Sequence, residues 1–181
     1  MRTFVAAVLA LVAAPLLAQQ NGLPEGLGSP DLPDFIIGHR ASNENQFIQE
    51  EVPEGETVHS WTRMVTTQRY RDLALKASPY QMAQNIAAST PKSCPGAIVA
   101  APASLKLGGR DAAQMRVDCP LNPQSGTPET FLMLVVAGQR DMMVKQVAFR
   151  SNPSQADIAW ATGFLGSVTV CTTPDPASCK R

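Results

Sequence analysis

The sequence contains none of the local frames that announce common catalytic chemistry. There is no G-x-S-x-G elbow for a serine nucleophile and no G-x-x-x-x-G-K-[ST] or G-x-G-x-x-G loop for phosphates. An H-E-x-x-H zinc motif and an EF-hand loop are also missing. Only two histidines occur, His39 and His59, so imidazole acid–base schemes have little to work with. For each, a surface role is commoner than a catalytic one. Positive charge is not in surplus either: 15 Lys and Arg face 15 Asp and Glu. The basic residues Arg63, Arg69, Arg71, Lys106, Arg110 and Arg116 are scattered. Nucleic-acid binding needs a basic stripe that displaces counterions, and such a partner is excluded. No cofactor is implied. Internal repeats and low-complexity tracts are absent.

What is present begins with an export signal. Met1-Arg2-Thr3 supplies one charge, Phe4 to Leu17 is uncharged and apolar, and Ala18-Gln19-Gln20 follows. That order of regions reads as a cleavable signal peptide over residues 1–18. The run is shorter than the ~20 residues a spanning helix requires. Pro15 and the polar Gln19-Gln20-Asn21 also speak against an uncleaved anchor. No cysteine lies near the cut to carry a lipid, and no later apolar run approaches spanning length. The expected location is therefore the periplasm or the exterior, with no membrane span after cleavage. Loss of Arg2 leaves the mature chain one charge negative.

Export gives the cysteines a meaning. Cys94, Cys119, Cys171 and Cys179 all lie in the mature part. An even count in an exported chain implies disulfides, and four cysteines allow three pairings. The most economical choice is Cys94–Cys119 with Cys171–Cys179, each local to one segment. A zinc site fails on spacing, since there is no close cysteine pair and both histidines are remote. A thiol nucleophile has no free cysteine left to it.

Residues 19–34 are rich in proline and glycine and read as a flexible arm, outside any packed element. Residues 35–181 then form one domain whose C-terminal tail is closed by a disulfide. Phe35–Arg40 and Gln46–Val52 read as two strands about a polar turn, and Thr62–Tyr70 as a third. Ser78-Pro79 opens a helix with Met82, Ile86 and Ala87 at helical spacing, and Pro91 is expected to end it. Ala97–Leu107 and Ala112–Cys119 flank a glycine turn at Gly108-Gly109. Phe131–Ala137 and Met142–Arg150 form another hairpin, and the first of these is apolar on both faces, as in a covered strand. Ser154 with Asp157 three residues on begins a last helix whose stripe is Ile158, Ala161, Leu165 and Val168. This succession predicts an α+β domain: an antiparallel sheet of about five to seven strands with two main helices on one face.

The candidate site is an acidic turn, Glu50, Glu51, Glu54 and Glu56 about Pro53 and Gly55, followed by His59 and Trp61. Paired carboxylates set about 5 to 9.5 Å apart run glycoside hydrolysis. A hard cation wants Asp, Asn and carbonyl ligands at loop spacing, which are missing here. A solvated turn is the plainer reading of the glutamates, and a core anchor the plainer reading of Trp61. Glu54, Glu56, His59 and Trp61 are the binding candidates.

The segment Glu51-Val52-Pro53-Glu54-Gly55-Glu56-Thr57-Val58-His59-Ser60-Trp61-Thr62-Arg63-Met64-Val65-Thr66-Thr67-Gln68 resembles a motif of small secreted bacterial proteins of unknown function. In outline, counted from Glu50, the motif is E-x-V-P-x-G-E-T-V-x-x-W-x-x-M-x-T-x-Q. The placement of the cysteines and of Trp160 in the final helix is similar too, so the resemblance runs over most of residues 35–179. It implies no activity, cofactor or catalytic residue. The element order is also similar to the sheet-plus-helix domains of photosystem oxygen-evolving proteins and nuclear-import factors, a likeness of fold only. Two functions follow as expectations: a non-enzymatic module binding an envelope protein or polymer, or a hydrolase of such a polymer acting through the glutamates.

Overall fold

The structure, a computed structural model, describes residues 25–172 and Cys179. The expected signal peptide and the first residues of the arm lie outside the described residues. In chain order the strands are β1 (Glu25–Gly28), β2 (Phe35–Ser42), β3 (Gln46–Pro53), β4 (Arg63–Tyr70), β5 (Ile98–Val99), β6 (Ala103–Leu107), β7 (Arg110–Asn122), β8 (Thr127–Ala137), β9 (Met142–Phe149) and β10 (Thr169–Thr172). Helix α1 (Pro79–Ser93) lies between β4 and β5, and α2 (Gln155–Gly166) between β9 and β10. The main sheet is antiparallel, in the order β2-β3-β4-β9-β8-β7-β5, with β6 also on β7. Strands β1 and β10 form a separate antiparallel pair.

The α+β class is as the sequence predicts, with more strands. The predicted strand Ala97–Leu107 is split at Ala100–Pro102 into β5 and β6, because Pro102 has no N–H for the ladder. Gly108 and Gly109, at φ 56° and 83°, make the two-residue turn joining Leu107 to Arg110. Both positions need the left-handed region that glycine enters freely.

The helices do not share a face. On one side α2 places Ala161, Phe164 and Leu165 against Leu134 and Val136 of β8 and Val147 of β9. On the other, α1 packs Ala83, Met82 and Ile86 over Met133 and Val135 of β8 and Val144 of β9. Alternate residues of β8 thus face different helices. The expectation of both helices on one face is corrected, and the unbroken apolar run of β8 is the reason: each face needs its own cover.

Each helix begins in a reciprocal cap. The Ser78 hydroxyl accepts from the Gln81 N–H while the Gln81 side chain accepts from Ser78 N–H, and Ser154 and Asp157 repeat the arrangement. The Ser154 hydrogen bonds, with Arg63 beside it at 2.6 Å, hold the Asp157 carboxyl below the usual range. Arg63 also lies 4.4 Å from the centre of the Trp160 ring, which stacks between Phe35 and Phe164. Contrary to expectation, Pro91 does not end α1, which continues to Ser93. Cys94 N–H closes the helix on Thr90 O at 2.8 Å, and the Cys94–Cys119 disulfide ties that end to β7. The second disulfide is Cys171–Cys179, so the most economical pairing is the one found.

The arm requires a correction. Residues 25–28 are no flexible linker: they pair with β10 from Glu25↔Thr172 to Gly28↔Thr169 and are buried throughout. The Glu25 carboxylate accepts from Gln139 N–H at 2.6 Å and Arg140 N–H at 3.3 Å, and pairs with Arg110 at 3.2 Å. No described helix is long and apolar enough to cross a membrane.

Candidate functional site

Helix α1 covers the β7–β8 half of its face and leaves the β3-β4-β9 half open. A groove of about 600 Å³ lies there. Its floor follows from register. Glu50 pairs with Thr66, and Thr66 with Gln146, so three hydrogen-bonding side chains form one row across β3, β4 and β9. Met64 and Ala148, paired one step along, make the apolar end of the floor. Gln68 flanks the other end. One wall is the turn carrying Val58, His59 and Trp61, and the opposite wall is the β7–β8 turn with Asn122, Gln124 and Ser125. Glu129 of β8 also lines it, its carboxylate accepting from Asn122 Nδ2 at 2.7 Å.

The structure brings two of the four sequence candidates to this groove and sets the other two apart. Trp61 is a core anchor at its edge, 7% exposed and packed with Val52, Met64 and Ala148. The Arg150 guanidinium lies over the ring at 4.2 Å and donates from Nη1 to the His59 carbonyl at 2.8 Å. His59 is exposed at the lip. Glu56 instead accepts from both N–H and Oγ1 of Thr62 at 2.7 Å, closing the turn on itself. Glu54 is exposed and lines none of this surface. The acidic cluster does not converge, because Glu50 and Glu51 are neighbours on one strand and face opposite sides of the sheet. The hydrolase expectation, which needs those carboxylates together, is corrected on this point. His39 sits exposed on the edge strand β2.

Glu51 points to the other face, where a second cavity of about 540 Å³ lies beneath residues 29–33. Lys145 lines it, 3% exposed, with Nζ donating to Thr67 Oγ1 at 2.8 Å and standing 4.0 Å from Glu51 Oε2. Burial lowers its pKa, and the Glu51 charge opposes that shift.

Sequence reasoning missed Gln146, Glu129, Arg150 and Lys145. One local signal existed. In the otherwise apolar strand Met-Met-Val-Lys-Gln-Val-Ala-Phe, Lys145 and Gln146 are adjacent polar residues and must face opposite sides of the sheet. Each lines one of the two cavities. Among the described residues no cluster of His, Cys, Asp and Glu has the form of a metal site.

No family model matches the chain, and no curated protein does. Some solved structures are similar to it in part. LpqN, involved in cell envelope biogenesis of Mycobacterium tuberculosis, is 14% identical, covers 86% of this chain and 88% of its own, with a TM-score of 0.46. The Saccharomyces cerevisiae Ran-binding protein Mog1p is 10% identical over 78% and 82%, with a TM-score of 0.45. A Pseudomonas aeruginosa protein of unknown function is 12% identical over 69% and 83%, at 0.44. Likeness at this level carries nothing about ligand or activity.

Proposed function

We propose that the chain is an exported, non-enzymatic binding module of the bacterial envelope, and that the groove over β3, β4 and β9 holds a hydroxyl-rich envelope polymer. The row Glu50–Thr66–Gln146 is the observation that carries this reading. A carboxylate accepts, a hydroxyl does both, and an amide offers two donors and an acceptor. Such a mixture matches the vicinal hydroxyls of a glycan, each of which is itself donor and acceptor. Asn122, Gln124 and Ser125 extend the same chemistry up one wall, and the Trp61–Arg150 stack makes the other wall rigid.

Export rests on the signal-like N-terminus and agrees with the two disulfides, which persist in oxidising compartments. Binding is favoured over hydrolysis because Glu129 is held by Asn122 and the acidic turn is dispersed. Co-sedimentation of the chain with purified envelope polysaccharide tests the reading. Retention that falls at least tenfold in Gln146→Leu, with no release of soluble fragments, is expected. Equal retention of the variant, or polymer breakdown, overturns it.

A further inference from the structure

The cavity around Lys145 is on the opposite face from the proposed groove and is built from different residues. An ammonium has three N–H donors. Among the described residues the acceptor within hydrogen-bond distance of Lys145 Nζ is Thr67 Oγ1, at 2.8 Å. The Glu51 carboxylate, at 4.0 Å, balances charge but lies beyond hydrogen-bond reach. A cation kept from water with donors to spare is costly unless acceptors reach it. The Phe164 ring, 5.6 Å away, supplies a π-face and no acceptor oxygen.

The rest of the cavity has a definite character. Leu27, Leu32, Phe35 and Phe47 line it with hydrocarbon. At its edge Arg40 is held by two hydrogen bonds from Nε and Nη2 to Gln49 Oε1, at 3.0 and 2.6 Å, which leaves part of its donor fork for another group. Donors and hydrocarbon therefore line the same space, in comparable measure. Its volume, about 540 Å³, is within the usual range for small-molecule pockets.

We propose that this cavity is a pocket for a small amphiphilic oxyanion. The ligand's carboxylate or phosphate oxygens meet Lys145 Nζ and the Arg40 fork, and its hydrocarbon body lies against Leu27, Leu32, Phe35 and Phe47. Residues 29–33 form the roof, held at one end by the β1–β10 pair. Among the described residues, the charged groups lining the site are Lys145 on β9, Arg40 on β2, Glu51 on β3 and Asp31 in the roof. An added anion favours the charged form of Lys145, so binding takes up a proton wherever the free amine is already neutral.

Calorimetric titration of the full chain with both disulfides formed tests this, using octanoate, octyl phosphate and octanol. Either anion is expected to bind at least tenfold more tightly than the alcohol. At alkaline pH the heat should depend on the buffer, as proton uptake requires. Lys145→Met should lower anion affinity at least tenfold and leave the alcohol unchanged. Should that variant not fold, Arg40→Gln and the anion-against-alcohol comparison on the unaltered chain decide. Equal affinity for octanol and the anions, no binding of any of the three, or anion binding unaffected by the substitution that folds would overturn the proposal.

Discussion

The guanidinium of Arg150 lies 4.2 Å above the ring of Trp61 and ties down the His59 carbonyl at 2.8 Å. Trp61 closes the approach to β4 and Arg150 the exit from β9, whose backbones also meet through Arg150 N–H and Thr62 O at 3.0 Å. Arg150 thus braces, from β9, the turn that Glu56 closes on itself and that walls the groove. Arg150→Ala removes the stack and the hydrogen bond, and should cost about 1 to 2 kcal/mol. The check is urea unfolding together with tryptophan emission in a Trp160→Phe background. Emission should shift to longer wavelength as the Trp61 face opens to water; an unmoved spectrum and midpoint would show that the stack holds nothing.

Glu25 is the pin of the N-terminal strand. Its carboxylate is buried, receives two backbone N–H groups of the β8–β9 turn and pairs with Arg110. A Cβ at Gly138 would collide with that carboxylate, so the turn keeps glycine there for close approach. Glu25→Ala should cost about 2 to 3 kcal/mol, since the turn N–H groups and Arg110 lose a buried partner. Amide hydrogen exchange should quicken first along residues 25–28 and 169–172. Gly138→Ala should produce the same local loosening with Glu25 intact. Unchanged exchange in β1 and β10 would mean that the pairing does not depend on this carboxylate.

Lys145 gives stability a specific pH dependence. Burial lowers its folded pKa, while the unfolded chain titrates near the ordinary lysine value of about 10.4. Between those two values the unfolded state binds a proton that the folded state lacks. Stability attributable to this group therefore rises with pH across that window, and the cost of the buried charge is present in full below it. Lys145→Met should flatten the rise. Tyr70, whose pKa burial raises, titrates in both proteins and cancels in the difference. Urea midpoints of the two proteins, measured from about pH 7 to about pH 10, should converge as the pH increases. Parallel curves would contradict the assignment.

Features with local causes are legible in this sequence. Ser78 and Ser154 reveal the helix starts because each caps an N–H three residues away. The disulfide pairing follows from sequence proximity and export. The apolar run of β8 is legible as a covered strand, and the same run, taken further, demands one helix on each face. Glu25 is not legible, since its strand partner lies at the far end of the described chain and its turn partners on a distant hairpin. The groove is only half legible. Trp61 and His59 sit in a segment with a recognisable pattern, whereas Gln146, Glu129 and Arg150 reach it through strand order, which no local window contains. Glu54 and Glu56 mislead because proximity along a turn says nothing about which way carboxylates face.

The central claim is that the row Glu50–Thr66–Gln146 contacts a hydroxyl-rich ligand. Its most direct test is titration of the isotopically labelled chain with soluble fragments of envelope polysaccharide, followed by backbone and side-chain amide shifts. The account predicts saturable shifts at Glu50, Thr66, Gln146 and Asn122, none in residues 29–33 over the opposite cavity, and their loss in Gln146→Leu. Fragments that leave the groove unshifted while moving signals elsewhere, or that are cleaved during the titration, would contradict it.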